Sequence, residues 1–552
     1  MDSNHVSAEN PALNTPQPYA VRRQPYDLTG ADLRFALALL AGTALAVCAG
    51  IWGSFQAGFT ASFVVLFLTF SVYLGRRGSR PGAFACVCGA LAFSLSTVFV
   101  CTSGTLVRFL ALCAECAFSV VWFAALAGKP IPPGELGLAS CVLRHAAQTL
   151  AKTPKSVSSL FRGSNPRVKK ASKALLGVVC ALPILCVVAA LLIRSDAAFE
   201  GLIQRMFGDA GRVAGQTAVT LCLFPPLLSL GFSVKKEPLN ESAFGKHKGV
   251  DTGFLAAFLG LLDVCYAAYL FSQLAYFFSA FSGILPEGFA FTYADYARRG
   301  FFELCGIAAV NLAALYGMLL LSRKTDGKLP LVLRALGTFT DLFTLVLICT
   351  AAAKLALYIR QFGMTVQRLN AAAAMLCMAA TFLVLLVRFF APRVRVLPVA
   401  AVTAAVLILV LGVGNVHAFC ARYNYEAYAT GSLETIDTAY LRRLGDEGIP
   451  YLVRLTKDQN PGIRKNACGQ LCLAIEERYD GETEYVTAAP RTDWEYLIPD
   501  SKKIASPAAW SIPRARAYAA LDALLVDEPD FTRDHAEERQ TAWENDWAYG
   551  MF

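Results

Sequence analysis

Apolar residues in this chain come in long unbroken runs, without the alternation or 3.6-residue striping of a soluble fold. Crossing a hydrocarbon core of about 30 Å as an α-helix takes about twenty residues. Eleven runs predict such spans: Phe35–Trp52, Phe59–Leu74, Gly82–Val100, Thr105–Ala127, Ala174–Ile193, Val213–Phe232, Phe254–Leu274, Phe301–Leu321, Leu331–Ala353, Ala371–Val387 and Val396–Val413. The second and tenth are short. Ahead of the first, a polar, proline-rich stretch carrying Pro11, Pro16, Pro18 and Pro25 reads as a mobile arm. After Val413 the pattern turns to short amphipathic helical segments broken by Gly and Pro. Asp446–Leu455 and then Pro461–Cys468 look like one helix pair of a HEAT-type repeat. Stacked repeats need about three units to bury a continuous core, so the expectation is a small irregular α-domain packed partly on the bundle. Pro513–Leu525, with Leu521, Leu524 and Leu525 on one side, predicts a further helix.

The predicted fold is all-α. A disordered cytoplasmic arm (1–34) leads into a polytopic transmembrane helix bundle of about eleven spans (35–413). A small extracytoplasmic, mostly helical and partly HEAT-like domain (414–552) follows. Composition agrees: of 552 residues, 56% are apolar and 16% charged, against roughly a quarter charged in soluble domains, which excludes a disordered, fibrous or ordinary cytosolic protein.

Charge adds a direction. From Gly414 onward there are 15 Lys and Arg against 23 Asp and Glu, so the overall +9 combines a basic membrane part with an acidic tail. With the N-terminus inside, the cytoplasmic segments hold 25 Lys and Arg and the opposite loops 8. That bias predicts a cytoplasmic N-terminus and, with an odd number of spans, an exported tail. The longest cytoplasmic loop, Gly128–Lys173, sets Leu138, Val142, Leu143, Leu150 and Leu160 among Arg144, Lys152, Lys155, Arg162 and Lys169. It reads either as an ordinary positive-inside loop or as an amphipathic helix on an anionic leaflet. No aromatic-interleaved basic patch marks a nucleic-acid partner.

Fourteen of the 17 cysteines precede Cys420, nearly all inside apolar runs, where cysteine serves as a small hydrophobe. Cys468 and Cys472, an i, i+4 pair, are not expected to be bonded. The five histidines never approach a paired-ligand spacing, so no metal site is expected. Nucleotide-loop, nucleophile-elbow, dinucleotide-fold and zinc-protease signatures are absent, and with them any reason to expect a catalytic residue or cofactor.

Two passages carry a family resemblance. Phe291 to Leu304, with its core Tyr296-Ala297-Arg298-Arg299-Gly300-Phe301-Phe302-Glu303, is one. Lys354 through Tyr358, Gln361, Phe362, Gly363, Met364, Thr365 and Arg368 make the other. They resemble a bacterial polytopic membrane family catalogued as domain of unknown function 4173, with its relative 4153. Asn415 to Asn424 fits that family's junction into its tail, and the resemblance covers roughly Leu175 to Leu455. The chain departs from the pattern at Lys354, where arginine is expected, and at Phe362, where tyrosine is usual. A point charge and a lost hydroxyl stand there in place of groups capable of bidentate or hydrogen-bonded contacts. The resemblance implies a bacterial plasma-membrane protein and supplies no activity.

Ionisable groups at membrane depth are functional candidates by default. Arg108 and Glu115 lie seven apart on one face of the fourth span, and Arg108 is near enough to an end to snorkel. Asp263 in the seventh span and Asp341 in the ninth are either proton or cation ligands or inter-helix hydrogen-bonding residues. Asp295, Arg299 and Glu303 recur every four residues at the entry to span eight and form an acid–base–acid ridge, with Lys354 and Tyr358 ending span nine on the same outer surface. Gly363 suits the position after that helix, and Thr365 the N-cap of the next. The ridge is either an interfacial salt-bridge network or a functional site. Two function classes follow: a permease-like or lipid-handling protein, with a polar cavity linking Asp263, Glu303, Asp341 and Lys354, or a membrane-embedded sensor or assembly factor. The second presents its exported tail to a protein partner through a groove on residues Tyr440 to Glu477.

Overall fold

The computed structural model describes residues 25–52, 55–75, 80–129, 131–132, 134–162, 210–238, 249–282, 301–323, 328–479 and 510–549. Among them ten helices are long and apolar enough to cross a membrane, and no strand is formed. The chain is an all-α polytopic helix bundle. The predicted span Ala174–Ile193 lies outside the described residues, as does most of the N-terminal arm.

The chain divides into two compact units, residues 1–41 with 145–237, and 42–144 with 238–552. The first unit is built from the start of α1 (Gly30–Leu45), most of α6 (Gly137–Arg162) and α7 (Ala210–Lys236). α6 is helical, with its apolar and polar residues segregated to different faces. Two polar knots tie the ends of this unit. Thr29 donates through both its backbone N–H and its hydroxyl to Asp32 Oδ2, and Lys236 Nζ reaches the same oxygen at 2.7 Å. Glu237 accepts from Lys155 Nζ and Tyr26 Oη, both at 2.8 Å, with Lys152 at 3.5 Å. Burial works to raise the Glu237 carboxyl, but the Lys155 and Tyr26 hydrogen bonds and the charges of Lys155 and Lys152 bring it down to about 2.

The second unit holds the remaining spans: α2 (Ala57–Leu74), α3 (Ala83–Leu95) with the short α4 (Val98–Cys101), α5 (Thr105–Leu126), α8 (Thr252–Ser282), α9 (Phe301–Leu321), α10 (Leu331–Phe362), α11 (Val366–Phe390) and α12 (Val396–Val413). α10 is central, packing against α8, α9 and α11 around Leu259, Leu315, Leu333, Phe382 and Leu385. α12 packs on α11 and reaches α3 and α5. Where α8 faces outward it exposes Phe254, Phe258, Leu261 and Val264. A surface of that kind is tolerated by lipid and not by water.

Beyond α12 come α13 (Val416–Ala429), α14 (Thr438–Arg443), α15 (Ile449–Leu455), α16 (Pro461–Tyr479), α17 (Ile512–Asp527), α18 (Phe531–Asp534) and α19 (Ala536–Tyr549). The anticipated helix pair is α15 and α16, which pack together; α19 covers α16 and α17 covers α15. Gly469 sits against the backbone of Glu538, where a Cβ would lie 2.3 Å from the Glu538 carbonyl oxygen, so α16 and α19 touch main chain to main chain. These helices are seated on the ends of the spans. Ser103 donates from N and Oγ to the Glu447 carboxylate, at 3.0 and 2.6 Å, and Ala57 N–H donates to Trp510 O. Cys420, Cys468 and Cys472 are buried free thiols that pack as small hydrophobes.

Candidate functional site

Three spans of the second unit carry polar side chains at similar distances from their helix starts. Asp263 and Tyr266 are three apart on α8, Asn311 lies on α9, and Thr340, Asp341 and Thr344 lie on α10. Counted from the helix starts at 1.5 Å per residue, Asp263, Asn311 and Asp341 each sit about 15 Å along their helices. Tyr266 Oη donates to Asn311 Oδ1, and Asn311 Nδ2 donates to Thr344 Oγ1 at 2.8 Å. Thr344 Oγ1 donates to Thr340 O at 2.7 Å, and Thr340 Oγ1 to Asp263 Oδ1 at 2.6 Å. Asn311, Thr340 and Thr344 are fully buried, and Phe343 stacks on Tyr266 with ring centroids 4.2 Å apart. The chain of bonds runs across three helices and stops at a carboxylate.

It leaves oxygens over. Asp263 Oδ2 and both oxygens of Asp341 are buried without a hydrogen-bond donor, and Asp341 is 0% exposed. Leaving a buried polar atom unsatisfied costs about 1–3 kcal/mol and is rare enough in folded proteins to require a reason. A carboxylate this deep is tolerated when it holds a proton, a cation or a donor. The unbonded carboxyl oxygens can therefore take up a small positive species, and at Asp263 they end a chain of hydroxyl and amide hydrogen bonds.

The other predicted candidates separate. Arg108 Nε donates to Thr102 O at 2.7 Å and its Nη2 to Phe99 O at 3.2 Å, so its guanidinium satisfies carbonyls at the end of α4. Glu115, seven residues on, is fully buried with neither oxygen bonded. Lys354 lies thirteen residues beyond Asp341 on α10, about 20 Å along the axis, and the two are not parts of one cluster. Glu303 is in the first turn of α9, its side chain outside the described residues, as are Asp295 and Arg299.

Tyr358 belongs to a second assembly, at the turn between α10 and α11. Gly363 ends α10 with φ +74°, and Thr365 caps α11 by accepting from Arg368 N–H, as their positions in the sequence predict. Arg368 stacks its guanidinium 4.1 Å from the centre of the Tyr358 ring and donates to the Phe362 and Gly363 carbonyls. Asn424 on α13 clamps this turn, accepting from Met364 N–H and donating to Met364 O, both at 2.8 Å, and Tyr440 Oη accepts from Val366 N–H at 2.9 Å. A cleft of about 820 Å³ opens here, with Arg368, His417, Asp437, Tyr440 and Arg443 in its lining. The second family-like passage and the Asn415–Asn424 junction thus meet in space.

Sequence reasoning missed Tyr266, Asn311, Thr340 and Thr344 because they are uncharged. Their signal is a hydrogen-bonding group near the middle of an apolar run, three or four residues from an acid on the same helix, as Tyr266 is to Asp263 and Thr344 is to Asp341. It also missed Glu135 and Arg388, which form a buried ion pair with Nε–Oε1 2.6 Å. Among the described residues no three His, Cys, Asp or Glu side chains gather as metal ligands.

No curated protein and no solved structure matches the chain. A family model described as Domain of unknown function (DUF4153) matches residues 35–455, the spans together with the junction and the first tail helices. That is the second of the two related families suggested by the sequence passages. By a match that covers most of its length, this integral membrane protein belongs to the DUF4153 family.

Proposed function

We propose that the bundle is permease-like and that Asp341 on α10, the helix whose Thr340 bonds Asp263 of α8, is its site for a proton or small cation. One observation carries the reading: a fully buried carboxyl group with two unbonded oxygens, inside a membrane-spanning helix that three other spans surround. The alternative, a sensor or assembly factor presenting an exported helical domain, is favoured by the 820 Å³ cleft between the α10–α11 turn and the tail helices. The charge asymmetry supports a cytoplasmic N-terminus and an extracytoplasmic tail for either reading.

Dicyclohexylcarbodiimide, which modifies protonated carboxyl groups in apolar surroundings, separates them. In proteoliposomes it is expected to label Asp341, more slowly as pH rises or when sodium is added. Asp341→Asn is expected to abolish both the label and any proton movement reported by an entrapped pH-sensitive dye. Absence of labelling at Asp341 at every pH, together with an unchanged dye signal in the variant, rejects the ion site.

A further inference from the structure

A second cavity of the larger unit, about 540 Å³, lies between the N-terminal end of α3 and the first two turns of α12. Phe84 and Val87 form one wall, Val399 and Val402 the other. Apart from Thr403 and two arginines, every side chain lining it is apolar. The arginines are Arg393 and Arg395, in the short connection between α11 and α12, so both charges stand at one end of an otherwise greasy groove. Among the described residues neither has an ion-pair or hydrogen-bond partner for its side chain, and both are exposed. From Arg395 to Thr403 the groove follows α12 for eight residues, about 12 Å towards the membrane interior.

The one acidic group close in sequence to this wall is already neutralised. Glu135, between Ile131 and Leu138 of the lining, gives one oxygen to Arg388 Nε at 2.6 Å and the other to Val396 N–H at 3.0 Å. That clamp fixes the groove wall against the start of α12 and leaves the two arginines as an uncompensated positive mouth. An apolar trough entered past two free guanidinium groups at a helix end matches a molecule with a phosphate head and a hydrocarbon tail.

We propose that this groove binds one anionic phospholipid, its phosphate between Arg393 and Arg395 and an acyl chain along Val399 and Val402. The site is separate from the proposed ion site and stands whether or not that reading does. Phosphatidylglycerol is the probe, with phosphatidylcholine of the same acyl chains as competitor. Native mass spectrometry of the full-length protein released from mild detergent counts the lipids retained.

The wild type is expected to keep one phosphatidylglycerol in preference to phosphatidylcholine, undisturbed by excess inorganic phosphate. Arg393→Gln/Arg395→Gln is expected to lower that retention about tenfold or more. Both arginines are exposed, so the variant carries little folding burden. Val399→Trp, at a position 40% exposed, fills the trough with both charges intact and is expected to lower retention to a similar extent. Val402→Trp repeats the test one turn deeper, and only variants that elute as the wild type does on size exclusion are scored. Equal retention of the two lipids, an unaffected double arginine variant, or an unaffected Val399→Trp each overturns the groove. Displacement by inorganic phosphate overturns it in favour of a soluble-anion site.

Discussion

Removing Glu135 is expected to destabilise the protein far more than its place in a connecting segment suggests. Its side chain and that of Arg388 are each 7% exposed, and both carboxylate oxygens are in use, one by Arg388 Nε and one by Val396 N–H. Tyr316 Oη adds a longer bond to the Glu135 carbonyl. Glu135→Leu strands a buried guanidinium and an unbonded N–H at the first turn of α12, and breaking one side of a buried pair costs about 3–5 kcal/mol. Glu135→Gln keeps an acceptor for one of the two donors and should cost roughly half as much. Arg388→Met alone leaves the carboxylate with only the Val396 N–H. The double variant Glu135→Leu/Arg388→Met removes both charges into apolar surroundings and should fall within about 1–2 kcal/mol of the wild type. Reversible unfolding by sodium dodecyl sulfate in mixed micelles, followed by tryptophan fluorescence, gives each free energy and the coupling between the two sites. Coupling below about 0.5 kcal/mol, with the double variant as unstable as the sum of its parts, would refute the argument.

Gly363→Ala forces a left-handed backbone on alanine and sets its Cβ 2.8 Å from Asn424 Oδ1, whereas Gly431 has a similar φ with open space around it. Limited trypsin digestion should therefore release the tail from Gly363→Ala at least severalfold faster than from Gly431→Ala, and equal rates would contradict the clamp. Glu237 is held at about 2, below its ordinary 4.5, so its contribution is complete above pH 4.5 and is lost as pH falls from there towards 2. Acid melting curves should show that loss in the wild type and a flatter profile in Lys155→Met, which removes the nearest positive partner. For topology, single cysteines at positions 530 and 150 of a cysteine-free variant are treated with a membrane-impermeant maleimide in intact cells. Labelling is expected at 530 alone, and the reverse pattern would reject the charge argument.

The spans were legible because what makes them is local. A bilayer leaves no water for backbone groups, so any apolar run of sufficient length closes its own hydrogen bonds as a helix whatever its neighbours do. The Gly363 and Thr365 ends of α10 and α11 were legible for the same reason, since caps are decided within a few residues. What the runs do not encode is which face of each helix meets which neighbour. α8, α9, α10 and α12 carry no apolar face set against a polar one, and between such helices lipid and protein are equally oily, so no hydrophobic stripe selects a partner. Asp263 and Asp341 look alike in sequence, each an acid in the middle of a span. Only the packing of α8 against α10 gives one of them the Thr340 hydroxyl and leaves the other with none. Arg388 and Glu135, 253 residues apart, become a pair only when α11 closes on the segment ahead of α6. The sequence determined that this chain enters the membrane and where, through local backbone chemistry; the tertiary structure decided which buried charges are answered and which are left open, because that depends on contacts between helices far apart in the chain.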